Sequence, residues 1–287
     1  MNKFYVITNS TKDVGLVTTK IIQEYLHKHE KECLVQDRVA HSGNKKYRYT
    51  DVDKIPADTE CVLVLGGDGT LLQATRDMME RDIPLIGINL GTLGYLAEIN
   101  TENIVSALDT LMADEYTLTR RMMLEGKAYN KEKMILRDTA LNDIVIGREG
   151  RPRIIDFNIY VDGEFLSSYS ADGIIVSTPT GSTGYSLSAG GPIISPEASL
   201  LLLTPIAPHT LNTRSIVLPD SAVITIEVGK QRLHSEEKIV ATFDGDTYVA
   251  LKRGDIVTIS KATKAARLVK INNISFLEML RKKMNDQ

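Results

Sequence analysis

Apolar residues in the first 120 positions fall into two alternating patterns. Short continuous apolar runs predict buried strands at 4–8, 33–35, 61–65 and 84–89. Between these runs, apolar residues recur at helical spacing at positions 14, 17, 21, 22, 25 and 26, within 71–79, and at 104, 107, 108 and 111. Strands that alternate with helices predict a Rossmann-like α/β domain with a mostly parallel sheet over residues 1–120.

After about residue 120 the pattern changes to short β-branched runs separated by turns. Strands are predicted at 154–161, 174–177, 223–228, 239–243, 248–251 and 256–259, with turns such as Asp162-Gly163 and Asp244-Gly245-Asp246 between them. This spacing predicts an all-β, sandwich-like domain over residues 121–274. A last helix, within 275–287, carries Phe276, Met279 and Leu280 on its apolar face and is expected to pack back on the first domain.

The most informative segment is Gly66-Gly67-Asp68-Gly69-Thr70, between the predicted strand 61–65 and a predicted helix. In an open α/β sheet this handover is the usual ligand crevice. Glycines let backbone N–H groups approach phosphate oxygens, and the helix N-terminus adds partial positive charge. A bare carboxylate would repel phosphate, so we expect Asp68 to accept a proton from a hydroxyl that attacks a phosphoryl group. The alternative is an aspartate that only caps the helix.

A second glycine-rich segment, from Asp172 to Pro192, contains eight hydroxyl side chains and five glycines. Short hydroxyls and exposed amides suit a ligand built of sugar, base and phosphate, and Tyr185 can contact an apolar ring face. Taken alone, Asp172-Gly173 is equally typical of a hairpin turn, and Asn142-Asp143 of an ordinary loop.

With these motifs the chain closely resembles the NAD kinase family. The matching pieces occur in the family's order between about positions 60 and 250, at 66–70, 141–143, 172–173, 178–186, 208–214 and 243–246. The resemblance implies transfer of the terminal phosphoryl group of ATP to the 2′-hydroxyl of the adenosine ribose of NAD, which gives NADP and ADP. It also implies an α/β domain followed by a β domain, with NAD bound between them.

Carried over by position, the resemblance implies roles for single residues. Asp68 is the expected general base, and Gly67, Gly69 and Thr70 form the turn beside it. Asn142 and Asp143 are expected to hydrogen-bond ribose hydroxyls, and Asp172 to face the adenine. The other expected ligand-contacting residues are Arg153, Ser170, Thr183, Gly184, Tyr185, Ser186, Leu187, Ser188 and Asp246.

The chemistry agrees with this assignment of Asp68. A ribose hydroxyl is a poor nucleophile at neutral pH, and a positioned carboxylate typically contributes ~10²–10⁴-fold as a general base. Most of the remaining rate is expected from in-line positioning of donor and acceptor, with Mg²⁺ neutralising phosphate charge. The sequence shows no dedicated metal cage, as expected if Mg²⁺ arrives bound to ATP.

Three positions depart from the family's usual pattern. Asp143 stands where the family commonly has Glu, Gly184 where it has Ala, and Asp246 where it has Gln. The base and the phosphate turn are unaffected, so we expect these departures to alter affinity or substrate form more than reaction type.

The composition indicates the class of protein, its partners and its cellular compartment. A chain of 287 residues with 43% hydrophobic and 25% charged residues is ordinary for a soluble globular protein, and a net charge of −3 does not suggest nucleic acid or an anionic membrane as partner. Cys33 and Cys61 lie in apolar runs without a CxxC pair, which favours free thiols in a reducing cytosol. No signal peptide and no run of ~18 apolar residues is seen, so a cytoplasmic protein is expected. The resemblance implies a homo-oligomer, a dimer or tetramer.

Two other functions share part of these features. A lipid kinase would share the glycine-rich turn but also needs an apolar or basic membrane-facing surface, which nothing in the sequence marks. A non-catalytic NAD(P)-binding sensor would keep the ribose and adenine contacts but needs no acid at position 68. The sequence also leaves open inorganic polyphosphate as the donor and NADH as the acceptor.

Overall fold

The computed structural model describes residues 1–36, 50–91, 94–97, 99–150, 154–209, 214–229, 238–272 and 274–285. The chain divides into two compact units, residues 1–120 with 266–287 and residues 121–265. The return to the first unit thus comes at residue 266, whereas the sequence predicts it at 275. The physical reason is a short strand, Ala266–Lys270, that pairs in parallel with a strand of the first unit.

The first unit is built on one sheet with helices along it. Numbered in chain order, its strands are β1 (Lys3–Thr8), β2 (Glu32–Val35), β3 (Cys61–Gly66), β4 (Leu85–Asn89), β5 (Ile99–Asn100), β6 (Thr117–Arg121) and β19 (Ala266–Lys270). Its α-helices are α1 (Val17–Lys28), α2 (Asp68–Met78), α3 (Ile104–Met112) and α5 (Phe276–Asn285), with 3₁₀ turns at Val14–Leu16, Val52–Lys54 and Thr101–Asn103. The strand order is β2-β1-β3-β4-β19-β6, and β5 pairs with β4. The pairs β1–β2, β1–β3, β3–β4, β4–β5 and β4–β19 are parallel, which confirms the predicted α/β sheet.

Strand β3 reads as a continuous apolar run because both of its faces are covered. Leu63 and Leu65 pack in one apolar cluster with side chains of α1 and α3. Val62 and Val64 pack in another cluster with side chains of α2. The sheet is therefore doubly wound, and the turn after β3 follows its most buried strand.

Strand β1 lies between β2 and β3 in the order β2-β1-β3-β4. The chain therefore continues from β1 toward β2 and from β3 toward β4, in opposite directions along the sheet. The loop after β1 and the turn after β3 are consequently neighbours at the point where the strand order reverses. Such a switch point at the carboxyl edge of the strands is where open α/β sheets bind ligands.

The first helix begins three residues later than its apolar spacing suggests. Asp13, a buried aspartate, accepts hydrogen bonds from the backbone amides of Thr18 (2.9 Å) and Thr19 (3.1 Å). Leu16 has a left-handed φ of 57° and Gly15 a φ of 70°, so residues 14–16 form a separate 3₁₀ turn before α1.

Both cysteines are free and buried. Burial raises the pKa of the Cys33 and Cys61 thiols to about 12. At pH 8 a thiol of that pKa is ionised to a fraction of about 10⁻⁴, so we expect neither cysteine of the native protein to react with a disulfide reagent within minutes. Both should react in denaturant. Fast modification of either thiol in the native state would contradict this prediction.

The second unit is a sandwich of two six-stranded antiparallel sheets. Its strands are β7 (Leu124–Asn130), β8 (Lys133–Ala140), β9 (Asp143–Glu149), β10 (Ile155–Val161), β11 (Glu164–Ala171), β12 (Gly173–Ser177), β13 (Leu200–Ile206), β14 (Ile216–Pro219), β15 (Ile224–Val228), β16 (Lys238–Phe243), β17 (Thr247–Leu251) and β18 (Ile256–Lys261). A 3₁₀ turn, Thr180–Thr183, precedes the short helix α4 (Tyr185–Ser188). The sheets have the orders β11-β10-β15-β18-β7-β8 and β14-β13-β12-β9-β16-β17. One apolar core receives side chains from both sheets, including Phe157 and Phe243, which confirms the predicted sandwich.

Two of the three Asp-Gly pairs of this unit, at 162–163 and 172–173, differ in structure. Asp162 and Gly163 have φ values of 52° and 84° and join β10 to β11 as a hairpin, as predicted. Strands β11 and β12, in contrast, belong to different sheets. Asp172-Gly173 therefore lies at a crossing between sheets, and its interpretation as a hairpin turn is wrong.

In the ranges that the structure describes, no helix is long and apolar enough to span a bilayer.

Candidate active site

The carboxylate of Asp68 is held by backbone amides of a neighbouring segment in the first unit. Its Oδ2 accepts from the amide of Tyr95 at 2.8 Å, and its Oδ1 accepts from those of Leu96 and Ala97, both at 3.3 Å. Gly67 is the N-cap of α2 and Asp68 its first residue, and no side chain caps the helix. The interpretation of Asp68 as a cap of its own helix is therefore wrong, because its oxygens are bound by residues 95–97.

Gly94 is required by the close approach of this segment to Asp68. A Cβ atom at position 94 would lie 2.1 Å from both carboxylate oxygens of Asp68. Glycine thus allows three successive amides, 95–97, to converge on one side chain that is only half-buried. A carboxylate has about four lone-pair sites on its two oxygens and the amides use three of them, so Oδ2 can still accept a proton or hydrogen bond from a ligand.

The loop after β1 is fastened to the same turn. The amide of Asn9 donates to the carbonyl oxygen of Leu65 at 2.9 Å, and its side-chain Nδ2 donates to Thr70 Oγ1 at 3.4 Å. Lys12, on this loop, brings its Nζ to 2.9 Å from the position that a Cβ on Gly67 would occupy. The turn Gly66–Thr70 therefore carries a carboxylate, that of Asp68, and has an ammonium group beside Gly67.

In the second unit, Asn142 and Asp143 are held by a single carboxylate, that of Asp244. Its Oδ2 accepts from the amide of Leu141 at 2.8 Å, and its Oδ1 accepts from the amides of Asn142 at 2.8 Å and Asp143 at 3.1 Å. The amide of Asp244 donates back to the carbonyl of Asp143 at 3.0 Å. Asp244 reaches this position from a tight turn in which it and Gly245 have φ values of 50° and 72°.

Asp143 is almost completely buried, with 6% of its surface exposed. This burial raises the pKa of its carboxyl group to about 7, and the nearby negative charge of Asp244 contributes in the same direction. A carboxyl group that changes charge near neutral pH is unusual enough to mark a candidate functional position.

The glycine-rich segment after β12 packs directly on this pair. The amide of Thr178 donates to the carbonyl of Asn142 at 2.9 Å, and Thr178 Oγ1 donates to that of Leu141 at 2.6 Å. A Cβ on Gly181 would lie 2.1 Å from the carbonyl oxygen of Asn142, so no larger residue fits there. A Cβ on Gly184 would lie 3.7 Å from Asn142 Nδ2 and 3.9 Å from Asp143 Oδ2. The structure thus brings Asn142, Asp143 and Gly184 together as predicted.

Several buried polar atoms of this region have no protein partner. They are the side-chain oxygens Asn142 Oδ1, Ser177 Oγ and Thr180 Oγ1. Ser177 lies opposite Asp143 in the β9–β12 pairing. Buried polar atoms are normally hydrogen-bonded, so these three oxygens mark the region as one with unused hydrogen-bonding capacity.

Three further predicted residues already have partners inside the unit. Asp172 Oδ2 accepts from Arg148 NH2 at 2.7 Å, and Ser170 Oγ donates to Asp156 Oδ1 at 2.5 Å. The hydroxyl of Ser186 is fully buried and lies 3.1 Å from Thr204 Oγ1. This hydroxyl is therefore engaged inside the unit, and the expected contact of Ser186 with a ligand stays a prediction.

The remaining predicted residues lie on accessible positions or outside the described ranges. Tyr185 and Leu187 are exposed by 48% and 38%, Ser188 is exposed, and Thr183 is half-buried, with its hydroxyl 3.3 Å from the carbonyl of Thr180. Asp246 follows Gly245 in the β16–β17 turn, where its amide donates to the carbonyl of Phe243 at 3.1 Å. Arg153 lies outside the described residues.

Sequence reasoning missed several residues that the structure adds. Asp244 was predicted only as a turn residue, and Lys12 and Asn9 were not singled out. The available signal was their position: Asn9-Ser10-Thr11-Lys12 directly follows the first predicted strand, at the sheet edge where ligands bind.

Comparison with protein families gives two consecutive matches. Residues 6–116 match the ATP-NAD kinase N-terminal domain, and residues 141–271 match the ATP-NAD kinase C-terminal domain. The boundaries fall close to those of the two units. The matches include the turn with Asp68 in the first domain and Asn142, Asp143 and the glycine-rich segment in the second.

The chain is also similar to proteins named NAD kinase and to solved structures of an NADH kinase and an NAD kinase. The chain is 48% identical to an NAD kinase of Lachnospira eligens over 99% of this chain and 100% of that protein. It is 41% identical to an NAD kinase of Lachnoclostridium phytofermentans over the full length of both. Among solved structures, yeast NADH kinase complexed with NADH has a TM-score of 0.86 at 25% identity, covering 99% of this chain and 88% of that one. An Archaeoglobus fulgidus NAD kinase in complex with ATP has a TM-score of 0.77 at 25% identity, with 99% of both chains covered.

Proposed function

This chain belongs to the NAD kinase family and phosphorylates NAD, and on that premise we propose that Asp68 is the general base of the transfer. The lipid-kinase and sensor alternatives find no support among the relatives, which are NAD kinases over their full length. The observation that supports the proposal is the fixed position of the Asp68 carboxylate. Asp68 is the first residue of α2, and the backbone amides of residues 95–97 hold its side chain.

The proposed step conserves atoms and charge as follows. The 2′-oxygen of the adenosine ribose attacks the γ-phosphorus of ATP, and Asp68 takes the proton of that hydroxyl. The bond from the γ-phosphorus to the β–γ bridging oxygen breaks, and ADP leaves with its electron pair. Fixed amides restrict the rotation of Asp68, so the base needs little reorganisation when the hydroxyl arrives.

Mg²⁺ is proposed to enter with ATP and to neutralise phosphate charge when bound. The turn offers the Asp68 carboxylate and the Thr70 hydroxyl as oxygen donors, and the described part of the chain holds no cluster of three metal-binding side chains. Such a donor set fits an ion that keeps its waters and phosphate ligands better than a resident ion. Thr70 is the residue that would hold it at the turn, which leaves the Asp68 carboxylate free to take the proton.

The second unit is proposed to bind NAD through Asn142 and Asp143. Replacing Asn142 by Ala is expected to raise KM for NAD by roughly tenfold with a much smaller change in kcat, because ribose hydroxyls lose their partner. Steady-state kinetics at saturating ATP measure this change.

Asn130→Ala is a matched control for that variant. Asn130 donates to Asp255 at 2.7 Å and lies at the opposite end of the β7–β8 hairpin from Ala140, so its loss removes a hydrogen bond far from Asn142. The control should leave KM unchanged. An unchanged KM in Asn142→Ala would remove Asn142 from the proposed NAD site.

The direct test of the function identifies the product and the donor. Purified protein is incubated with NAD, Mg²⁺ and either ATP or inorganic polyphosphate, and NADP is detected with an NADP-specific dehydrogenase. That detection requires phosphate on the 2′-oxygen, so it also fixes the position of transfer. NADH is tried as acceptor in parallel. NAD binding without product from either donor would contradict the proposed transfer.

We further propose a homo-oligomer, a dimer or tetramer, in the cytoplasm. The support is the family resemblance for assembly, and two buried free thiols, Cys33 and Cys61, for a reducing compartment. Light scattering at micromolar concentration distinguishes a monomer from these assemblies.

A further inference from the structure

Residues 66–70 of the glycine-rich turn include no positively charged side chain for the nucleotide that the turn is proposed to receive. ATP brings about four negative charges to a place where Asp68 already supplies another one. The first amides of α2 contribute only partial positive charge. Mg²⁺ offsets part of this charge, and a positive charge on the protein would further reduce the repulsion between Asp68 and the phosphates whose transfer it is proposed to assist.

Lys12 is the cation that the structure brings to this turn. Its Nζ lies 2.9 Å from the Cβ position of Gly67, the residue directly before Asp68. The absence of a side chain at Gly67 leaves the space that the ammonium group occupies. A lysine ammonium is a compact charge with three donors, suited to phosphate oxygens.

The backbone that carries Lys12 is fixed on both sides. Asn9 Oδ1 accepts from the amide of Thr11 at 3.1 Å and from its hydroxyl at 2.6 Å, and the Asn9 carbonyl accepts from the amide of Lys12 at 2.9 Å. The Asn9 side chain also donates to Thr70. The loop and the phosphate turn are thus joined through one asparagine, which determines where Lys12 stands.

The ammonium group of Lys12 is available for a ligand. Over the ranges that the structure describes, it forms no ion pair or hydrogen bond. The adjacent carboxylate, Asp13, is occupied by the amides of Thr18 and Thr19. Lys12 is exposed, so what singles out its free ammonium group is its position at the switch point, beside Gly67.

We propose that Lys12 binds the triphosphate of ATP and offsets the charge of Asp68 there. This inference rests on the proposed function of the Gly66–Thr70 turn. It assigns Lys12 to the donor nucleotide alone, since Asn142 and Asp143, which are proposed to bind NAD, belong to the other unit and Asp68 is proposed to meet NAD only at the reacting hydroxyl.

The test compares Lys12→Ala with Lys20→Ala and Lys12→Arg. Lys20 is an exposed lysine of α1, so its variant is a matched loss of one charge in the same unit. Lys12→Ala is expected to raise KM for ATP roughly 10- to 100-fold, the range for a lost charge-assisted hydrogen bond, and to leave KM for NAD within twofold. Lys12→Arg, which keeps the charge, should recover most of the affinity, and Lys20→Ala should match the wild type.

A second measurement needs no variant. The wild-type protein is treated with an amine-acylating reagent, and modification of Lys12 is followed by mass spectrometry with ATP–Mg²⁺, with NAD, or with neither. ATP–Mg²⁺ should protect Lys12 from modification, and NAD alone should not. Neither ligand should protect Lys20.

The outcomes separate this inference from the function on which it rests. A KM for ATP within twofold of wild type in Lys12→Ala, with Lys12 unprotected by ATP, would overturn the assignment of Lys12. Normal turnover in Asp68→Asn would overturn the proposed base instead, whatever the result at Lys12.

Discussion

Replacing Asp68 by Asn is expected to lower kcat by at least ~10²-fold, because the amide cannot take the proton of the attacking hydroxyl. Asparagine keeps the shape of the side chain and one acceptor oxygen. The affinity for NAD should change little, since the residues proposed to bind it are in the second unit. Single-turnover NADP formation, together with calorimetric titration of NAD, measures both quantities.

Asn at position 68 also changes the contacts with residues 95–97. Its NH₂ group would face an amide that now donates to a carboxylate oxygen, so some stability is expected to be lost. Asp109→Asn serves as the control, because Asp109 is an exposed carboxylate of α3 that accepts from Tyr25 at 2.7 Å. Thermal unfolding of both variants shows whether the turn remains folded at the assay temperature.

Two results would contradict the role of Asp68. A near-normal kcat in Asp68→Asn would show that the hydroxyl needs no base at this position. A loss of activity that follows the unfolded fraction would make Asp68 a structural residue that holds the segment 95–97.

The parallel sheet and its phosphate turn could be predicted from the sequence because β3 carries its own signal. Cys61–Gly66 is buried on both faces, which leaves an uninterrupted apolar run, and the glycines that end it mark the turn. Local pattern and tertiary environment agree at this position.

Strands with mixed exposure could not be predicted in the same way. Lys133–Ala140 is mostly exposed and Thr117–Arg121 entirely exposed or half-buried, so neither shows a clean alternation. Ala266–Lys270 is formed by pairing with a strand almost two hundred positions away, which no local pattern records. Long-range hydrogen bonding, rather than local propensity, determines these elements.

The residues of the candidate site likewise fall into those that local sequence motifs predict and those that only the fold reveals. Asp68, Asn142 and Asp143 stand in motifs that the sequence displays. The groups that orient them act from a distance in the chain: Asp244 binds amides about a hundred positions away, and the amides at 95–97 bind Asp68. An aspartate in a turn after a strand has many possible roles, so only the fold could assign Asp244 to the support of Asn142.

The departure at Gly184 also acquires a physical meaning. A Cβ at this position would lie 3.3 Å from the carbonyl of Gly181, close but not prohibitive. Alanine would therefore fit with a small adjustment, and glycine leaves that space open beside Asn142 and Asp143. Together with the shorter side chain of Asp143, this enlarges the surroundings of the pair.

Asp143 is expected to make the free energy of unfolding fall as the pH rises from about 4 to 7. Its pKa is about 7 in the folded protein against an ordinary value of 3.8, so in this window the folded state holds a proton that the unfolded state has released. Each pH unit then lowers stability by up to about 1.4 kcal/mol, and the total can approach about 4 kcal/mol. The effect is complete above pH 7, where both states are ionised.

Replacing Asp143 by Asn removes the buried charge and with it this pH dependence. At pH 8 we expect the variant to be more stable than the wild type by up to about 4 kcal/mol, with the difference vanishing near pH 4. Urea unfolding of both proteins across pH 4–8, with Asp109→Asn as the exposed-carboxylate control, measures the difference. Parallel stability curves for wild type and Asp143→Asn would contradict the prediction, because they would show that folding does not shift the pKa of Asp143. If Asp143→Asn is instead more stable than the wild type at pH 8 but binds NAD more weakly, the buried carboxyl group lowers the stability of the protein and is retained because it binds the ribose.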